Sequence, residues 1–183
     1  MCSQTKAELL ADQDIIDMEA FGQLMELDED DDSSFSETLT LEYFEQASKT
    51  FKEMDEYLSV YMKSNYCIIL LPTLRHNFRE AKNVDRLGEL AHFLKGSSGQ
   101  VGVRKVKEEC NRMQYYGKLR DEEKKVDLKE EQAIEMITAS LKVAKKDYEE
   151  AEKLLKEYFD APGDPPRPPA YSSDSDDPPP RKK

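Results

Sequence analysis

One short run of the chain, from Ala91 to Gly102, contains residue types that could carry out a group transfer. His92 is one of two histidines in 183 residues, and Lys95 follows it three positions later. An α-helix turns by about 100° per residue, so these two residues share one side of a helix while Leu90 and Leu94 lie on the other. A neutral imidazole on a helix surface, with a cation one turn away, could attack a phosphorus centre.

Glycines surround the histidine on its own side of the predicted helix. They are Gly88, Gly96 and Gly99, each within about two turns of His92. A glycine in a helix interior costs about 0.5–1 kcal/mol relative to alanine. We therefore predict that all three glycines clear space for another molecule that comes close to the imidazole.

The other chemistry-bearing residues do not complete a metal or nucleotide site. No carboxylate cluster for magnesium accompanies His92, and the Glu-x-x-His pairs of helical metal hydrolases are missing. His76 has no further ligands at zinc-binding spacing. Lys95 precedes Gly96, whereas an ATP-binding P-loop needs its lysine after the glycine. The sequence therefore predicts no metal, no cofactor and no ATP-dependent kinase activity.

Composition limits the partners of the chain. A net charge of −12 and a pI near 4.8 argue against nucleic acid, which is bound through clustered Lys and Arg, and favour a basic docking partner. The most apolar run, Cys67 to Leu71, ends at Pro72 and is too short to cross a membrane. The first thirty residues contain acids rather than a basic, apolar leader. We expect a monomer in the cytoplasm and nucleus, without a membrane partner.

Apolar periodicity predicts five helices that position this run. The histidine-bearing helix is the third of them, and four of the five are connected by short or charged links, which is typical of an antiparallel four-helix bundle. The fold class is therefore all-α, with an additional N-terminal helix. The predicted helices are A (residues 13–27), B (34–58, with a capping box of Ser34 and Glu37), C (from a cap at Asn83 or Asp85 to Val101), D (103–119) and E (128–159).

Four segments lack a helical pattern. Residues 1–12 and the Pro, Asp and Ser tail at 161–183 are predicted to be disordered, which leaves one bundle domain over 13–160. Residues 121–127 are nearly all charged and predict a mobile connection. Residues 59–78 have neither helical acids nor a clean period, so we predict an irregular insertion there, either a real loop or translated intron sequence.

The run His92-Phe-Leu-Lys-Gly-Ser-Ser, together with the segment from Cys110 to Gly117, resembles the fungal histidine-containing phosphotransfer (HPt) proteins. These are the single-histidine intermediates of multistep phosphorelays, and the similarity covers residues 13–58 and 79–160. The resemblance implies that His92 accepts a phosphoryl group from the receiver-domain aspartate of a hybrid histidine kinase and passes it to the aspartate of a response regulator. It also implies that magnesium resides on the receiver domain.

The same resemblance implies roles for further residues. Lys95 would neutralise phosphoryl charge, Gln114 would hold the imidazole by a hydrogen bond, and Lys118 would be a second cation. Gly96 would give clearance and Ser97 would line the docking surface. The residues implied to contact the partner lie on helix A and at the start of helix B: Phe21, Leu24, Leu27, Leu39 and Gln46.

Two other functions compete with a phosphocarrier. The first is a non-catalytic helical adaptor that binds its partner through helix A and the acidic run from Asp28 to Asp32. Such an adaptor would not need His92. The second, a metal-dependent hydrolase in a helical bundle, is disfavoured because its ligand motifs are missing.

Overall fold

The computed structural model describes residues 14–28, 34–70 and 81–161. This part of the chain is almost entirely helical, so the all-α prediction is confirmed. None of its helices is long and apolar enough to cross a lipid bilayer. The disordered segments predicted at 1–12 and within 162–183 lie outside the described residues. The elements are α1 (Met18–Met25), α2 (Ser34–Leu70), α3 (Ala81–Val101), α4 (Arg104–Gly117), β1 (Arg120–Asp121), β2 (Val126–Asp127) and α5 (Glu130–Asp160).

Helices α2 to α5 form the four-helix bundle, and each buries one apolar stripe in a shared core. Helix α3 packs against α2 and α4, and α5 packs against α4 and α2. The stripe of α3 is the one predicted from sequence, with Leu87, Leu90 and Leu94 buried. Burial of a leucine side chain stabilises a fold by about 1.5–3 kcal/mol, so this stripe fixes how α3 is rotated.

Helix α1 packs on the bundle as the predicted additional helix. The Asp17 carboxylate caps it by accepting hydrogen bonds from the backbone amides of Glu19 and Ala20. The ring of Phe21 is buried and contacts the rings of Tyr158 and Phe159 edge to face. These contacts hold α1 beside the end of α5, and α1 also packs against α3.

A tight turn joins α3 to α4. Gly102 has a φ of +78°, in the left-handed region that favours glycine, and follows Val101, where α3 ends as predicted. Its carbonyl accepts a hydrogen bond from the Asp17 backbone amide at 2.7 Å. A Cβ on Gly102 would lie 2.8 Å from the Asp17 carbonyl oxygen, so any larger residue would push α1 away from the turn.

The prediction of an irregular insertion at 59–78 is wrong for its first part. Helix α2 continues unbroken to Leu70, and Tyr61 is buried in the core. Few acids and a poor apolar period made this stretch look non-helical. Once a helix has formed, however, each further residue adds a hydrogen bond without a new nucleation cost, so the amphipathic part of α2 can extend into it. Residues 71–80 lie outside the described residues.

The mobile connection predicted at 121–127 is also wrong, because β1 and β2 pair there as a short antiparallel hairpin. Asp121 is buried, and its carboxylate accepts a hydrogen bond from the Lys124 backbone amide. A short acidic side chain that accepts from the backbone a few residues on stabilises a turn. The charged residues therefore form an ordered link between α4 and α5.

Candidate functional site

His92 lies on the exposed side of α3, as the helical pattern predicted. The adjacent Ala91 and the nearby Leu94 are fully buried in the core, and Leu90 is nearly so. Since these side chains fix the rotation of α3, the imidazole of His92 is presented to solvent by the backbone itself. An exposed imidazole at a fixed position is available for attack on a group carried by another molecule.

Lys95 and Gln114 meet across the α3–α4 interface. The Lys95 ammonium donates a hydrogen bond to the Gln114 side-chain oxygen at 3.3 Å. The resemblance implied that Gln114 would bond the imidazole, but in the part of the chain that the structure describes its hydrogen bond goes to Lys95. In this structure Gln114 therefore contacts the cation next to His92.

A shallow groove of about 1130 Å³ surrounds the histidine. It is formed by four helices, α1 to α4, and the turn after α1, and it brings together eight of the predicted site residues. These eight are His92, Lys95, Gly96 and Ser97 of α3, Leu39 and Gln46 of α2, Leu24 of α1, and Leu27 just after it. Residues that the resemblance assigned to chemistry and to docking thus share one concave surface.

Three predicted residues do not line this groove. Phe21 is 1% exposed and packs inside, so the partner contact predicted for it is wrong and its role is to hold α1. Lys118 follows α4 as its C-cap, and Gln114 reaches the site through Lys95. Neither contributes directly to the groove surface.

Two of the three glycines near His92, Gly96 and Gly88, have different surroundings. A Cβ on Gly96 would meet nothing within 4 Å, so this position opens directly into the groove. A Cβ on Gly88 would lie 3.0 Å from the Gly117 Cα, because α3 and α4 cross closely there. The clearance predicted for Gly88 therefore serves helix packing and not a visiting molecule.

Sequence reasoning missed several residues of the groove. Phe93 directly follows the histidine and is 52% exposed. Its position outside the apolar stripe of the helix could have indicated an exposed contact residue. Lys107 of α4 reaches the groove from a second helix, which no local pattern could show. The groove also contains Ala20, Gln23, Gly99 and Gln100.

A buried hydrogen-bond chain supports α3 behind the histidine. The hydroxyl of Ser98 donates to the Leu94 carbonyl at 2.7 Å and pairs with the Tyr43 hydroxyl of α2 at 2.9 Å. Burial raises the pKa of Tyr43 well above its ordinary value, so this hydroxyl stays protonated. Burial likewise raises the pKa of the Cys110 thiol, which makes that cysteine a poor nucleophile.

The charges of the groove are cationic. Among its fourteen lining residues are Lys95 and Lys107 but no aspartate or glutamate. Within the described residues, no cluster of three or more His, Cys, Asp or Glu side chains could hold a metal ion. The groove can therefore receive an anionic group beside the imidazole and neutralise part of its charge.

The chain is similar to known proteins of one family. The Hpt domain family matches residues 40–157. Multistep phosphorelay regulator 1 of Schizosaccharomyces pombe is 34% identical over 154 residues, which are 84% of this chain and 45% of that protein. The phosphorelay intermediate protein YPD1 of Candida albicans is 30% identical over 115 residues, or 63% of this chain and 50% of that protein. The chain thus spans about half the length of the curated relatives it matches.

Solved structures share the fold. The crystal structure of the yeast phosphorelay protein YPD1 superposes with a TM-score of 0.59 at 22% identity, covering 80% of this chain and 96% of that one. The histidine-containing phosphotransfer protein MtHPt2 from Medicago truncatula gives a TM-score of 0.58 at 21% identity, covering 84% and 83%. With the same bundle, and with a family match over most of its length, the chain belongs to the Hpt domain family.

Proposed function

We propose that this protein is a phosphorelay intermediate. His92 accepts a phosphoryl group from the receiver-domain aspartate of a hybrid histidine kinase and transfers it to the aspartate of a response regulator. The observation that carries this proposal is the exposed His92 imidazole in a cationic groove, next to an open Gly96. The family match and the phosphorelay names of the relatives support it.

The transfer needs little from the carrier besides position and charge. A nitrogen lone pair of the imidazole forms the new N–P bond while the P–O bond of the aspartyl phosphate breaks, and its electron pair leaves with the aspartate carboxylate. Lys95, held by Gln114, neutralises part of the charge on the phosphoryl oxygens. The reverse sequence on a second receiver domain regenerates His92.

Magnesium and the remaining catalytic groups belong to the receiver domain in this proposal. The groove itself has no carboxylate with which to bind the metal. The protein is therefore a phosphocarrier, with histidine phosphotransfer activity that needs a partner. We propose that it works as a monomer in the cytoplasm and nucleus, where one carrier could serve receivers in both places.

Phosphotransfer from a radiolabelled receiver domain tests the proposal. The wild-type chain should acquire label that is stable to base and labile to acid, as expected for a phosphohistidine, and His92→Gln should acquire none. His92 is exposed, so the variant should fold, and circular dichroism checks this. Label retained by His92→Gln would place the phosphoryl group elsewhere and refute the assignment.

An adaptor remains the second candidate, because the groove exposes Leu27 and Phe93 as apolar contact surface. The acidic run proposed to assist it lies mostly outside the described residues. An adaptor would bind its partner equally well with and without the His92→Gln change, and it would show no phosphotransfer. The same pair of proteins therefore separates the two functions.

A further inference from the structure

Lys107 lies along the bare backbone of α3 at Gly99. A Cβ on Gly99 would be 3.5 Å from the Lys107 Cε, 3.6 Å from its Cδ and 3.8 Å from its Nζ. The lysine stem thus covers the surface that a larger residue at 99 would occupy, and this brings its ammonium from α4 to the groove. Lys107 lies in the first turn of α4, and its backbone amide donates a hydrogen bond to the Val103 carbonyl at 3.1 Å.

The charge of this side of the groove contrasts with the rest of the molecule. The chain carries 39 acidic and 27 basic residues, yet the groove is lined by two lysines and no acid. One carboxylate, Glu42 of α2, lines a smaller adjoining pocket, which shares four residues with the groove: Leu39, Gln46, Ser97 and Gln100. The cationic character is therefore concentrated on the α3–α4 side, where Lys95 and Lys107 lie.

We propose that Lys107 is a docking residue that pairs with an acidic side chain on the surface of the receiver domain. This inference rests on the proposed function and assigns a separate task to each lysine. Lys95, next to His92 and held by Gln114, serves the phosphoryl group. Lys107, displaced along α3 to Gly99, pairs with an acidic side chain of the docked surface away from the phosphoryl group and so contributes to affinity and orientation.

Electrostatic complementarity explains why such a residue is useful to an acidic carrier. A negative protein and a negative partner surface repel each other, and a local cationic patch restores attraction over roughly a Debye length. Contacts of this kind mainly change the association rate and its dependence on salt. The composition had favoured a basic partner, whereas the groove favours an acidic one, because docking depends on the local charge and not on the net charge.

Titration of a purified, unphosphorylated receiver domain of a hybrid histidine kinase tests the inference. Lys107→Gln should raise the Kd by about two- to fivefold at low ionic strength, and Lys107→Glu should raise it by roughly tenfold or more. Both variants should flatten the salt dependence of Kd. The matched control is Lys105→Gln on the same helix, because Lys105 does not line the groove and interacts with Asp147 of α5.

The outcomes are distinct from those of the phosphotransfer test. The inference is supported if Lys107→Gln binds more weakly and with less salt dependence than the wild-type chain while Lys105→Gln does not. Equal Kd values for Lys107→Gln and Lys105→Gln overturn it, even where His92 acquires label. If the wild-type chain neither binds the receiver domain nor acquires label, the proposed function fails and the inference fails with it.

Discussion

Gly96 offers a direct test of whether the groove is open for a partner or only loosely packed. In Gly96→Ala the new methyl group meets no atom within 4 Å, so it introduces no clash inside the protein. Alanine is more favourable than glycine in a helix interior, and the free energy of unfolding should rise by about 0.5–1 kcal/mol. The methyl group would project into the groove one turn from His92, where the partner must approach.

The same substitution should therefore slow phosphotransfer while it stabilises the fold. An extra methyl group in a close-packed contact costs about 1–3 kcal/mol, which corresponds to roughly 5- to 150-fold weaker docking. Urea unfolding followed by circular dichroism measures the stability, and transfer of label from a receiver domain measures the function.

Gly117→Ala is the matched contrast. A Cβ there would lie 2.5 Å from the Gly88 Cα, in the crossing of α3 and α4. This variant should lose about 1–3 kcal/mol of stability, because the clash is internal. If Gly96→Ala were destabilised like Gly117→Ala, or transferred phosphoryl groups at the wild-type rate, the argument that Gly96 is kept bare for the partner would be refuted.

Two further predictions concern the lysine beside the histidine and the tyrosine behind it. Lys95→Gln should fold normally but transfer the phosphoryl group on the order of ten- to a hundredfold more slowly, because one positive charge at the phosphoryl oxygens is lost. Gln114→Ala should have a smaller effect, because it only releases Lys95. Single-turnover transfer kinetics measure both variants, and rates equal to that of the wild-type protein would contradict the roles assigned. Burial raises the pKa of Tyr43 in the folded state. Above a pH of about 10 the unfolded chain therefore loses a proton that the folded chain keeps, and the free energy of unfolding should fall by up to about 1.4 kcal/mol per pH unit. Tyr43→Phe should remove that part of the alkaline slope in urea unfolding at pH values on either side of 10, and an unchanged slope would show that another group causes it.

The local parts of the site could be predicted from sequence because each depends on one helix. The apolar positions of α3 fix its buried side, so the exposure of His92 followed from periodicity alone. The resemblance then supplied Leu24, Leu39 and Gln46, which the structure places in the same groove. Whether these residues contact a partner is still a prediction.

The parts that failed depend on where a second element lies. Gly88 and Gly96 lie about 40° to either side of His92 on a helical wheel, but α4 covers α3 at Gly88 and leaves it open at Gly96. The resemblance assigned Phe21 to the docking surface, yet the end of α5 covers its ring. Lys107 could not be found at all, since its approach to Gly99 needs the α3–α4 crossing.

The division of the site between helices has a functional consequence. His92 and Lys95 are one turn apart on α3, so helix geometry sets the spacing of their backbones, and one contact from α4, the Gln114 side chain, orients the Lys95 ammonium. The rim of the groove comes from α1, α2 and α4, whose positions depend on tertiary packing. Under the proposed function, substitutions in the rim therefore change which partner surface docks, and how tightly, without altering His92 and Lys95. The proposed function calls for this separation, because the chemistry would be the same in both transfer steps while the two receiver domains differ.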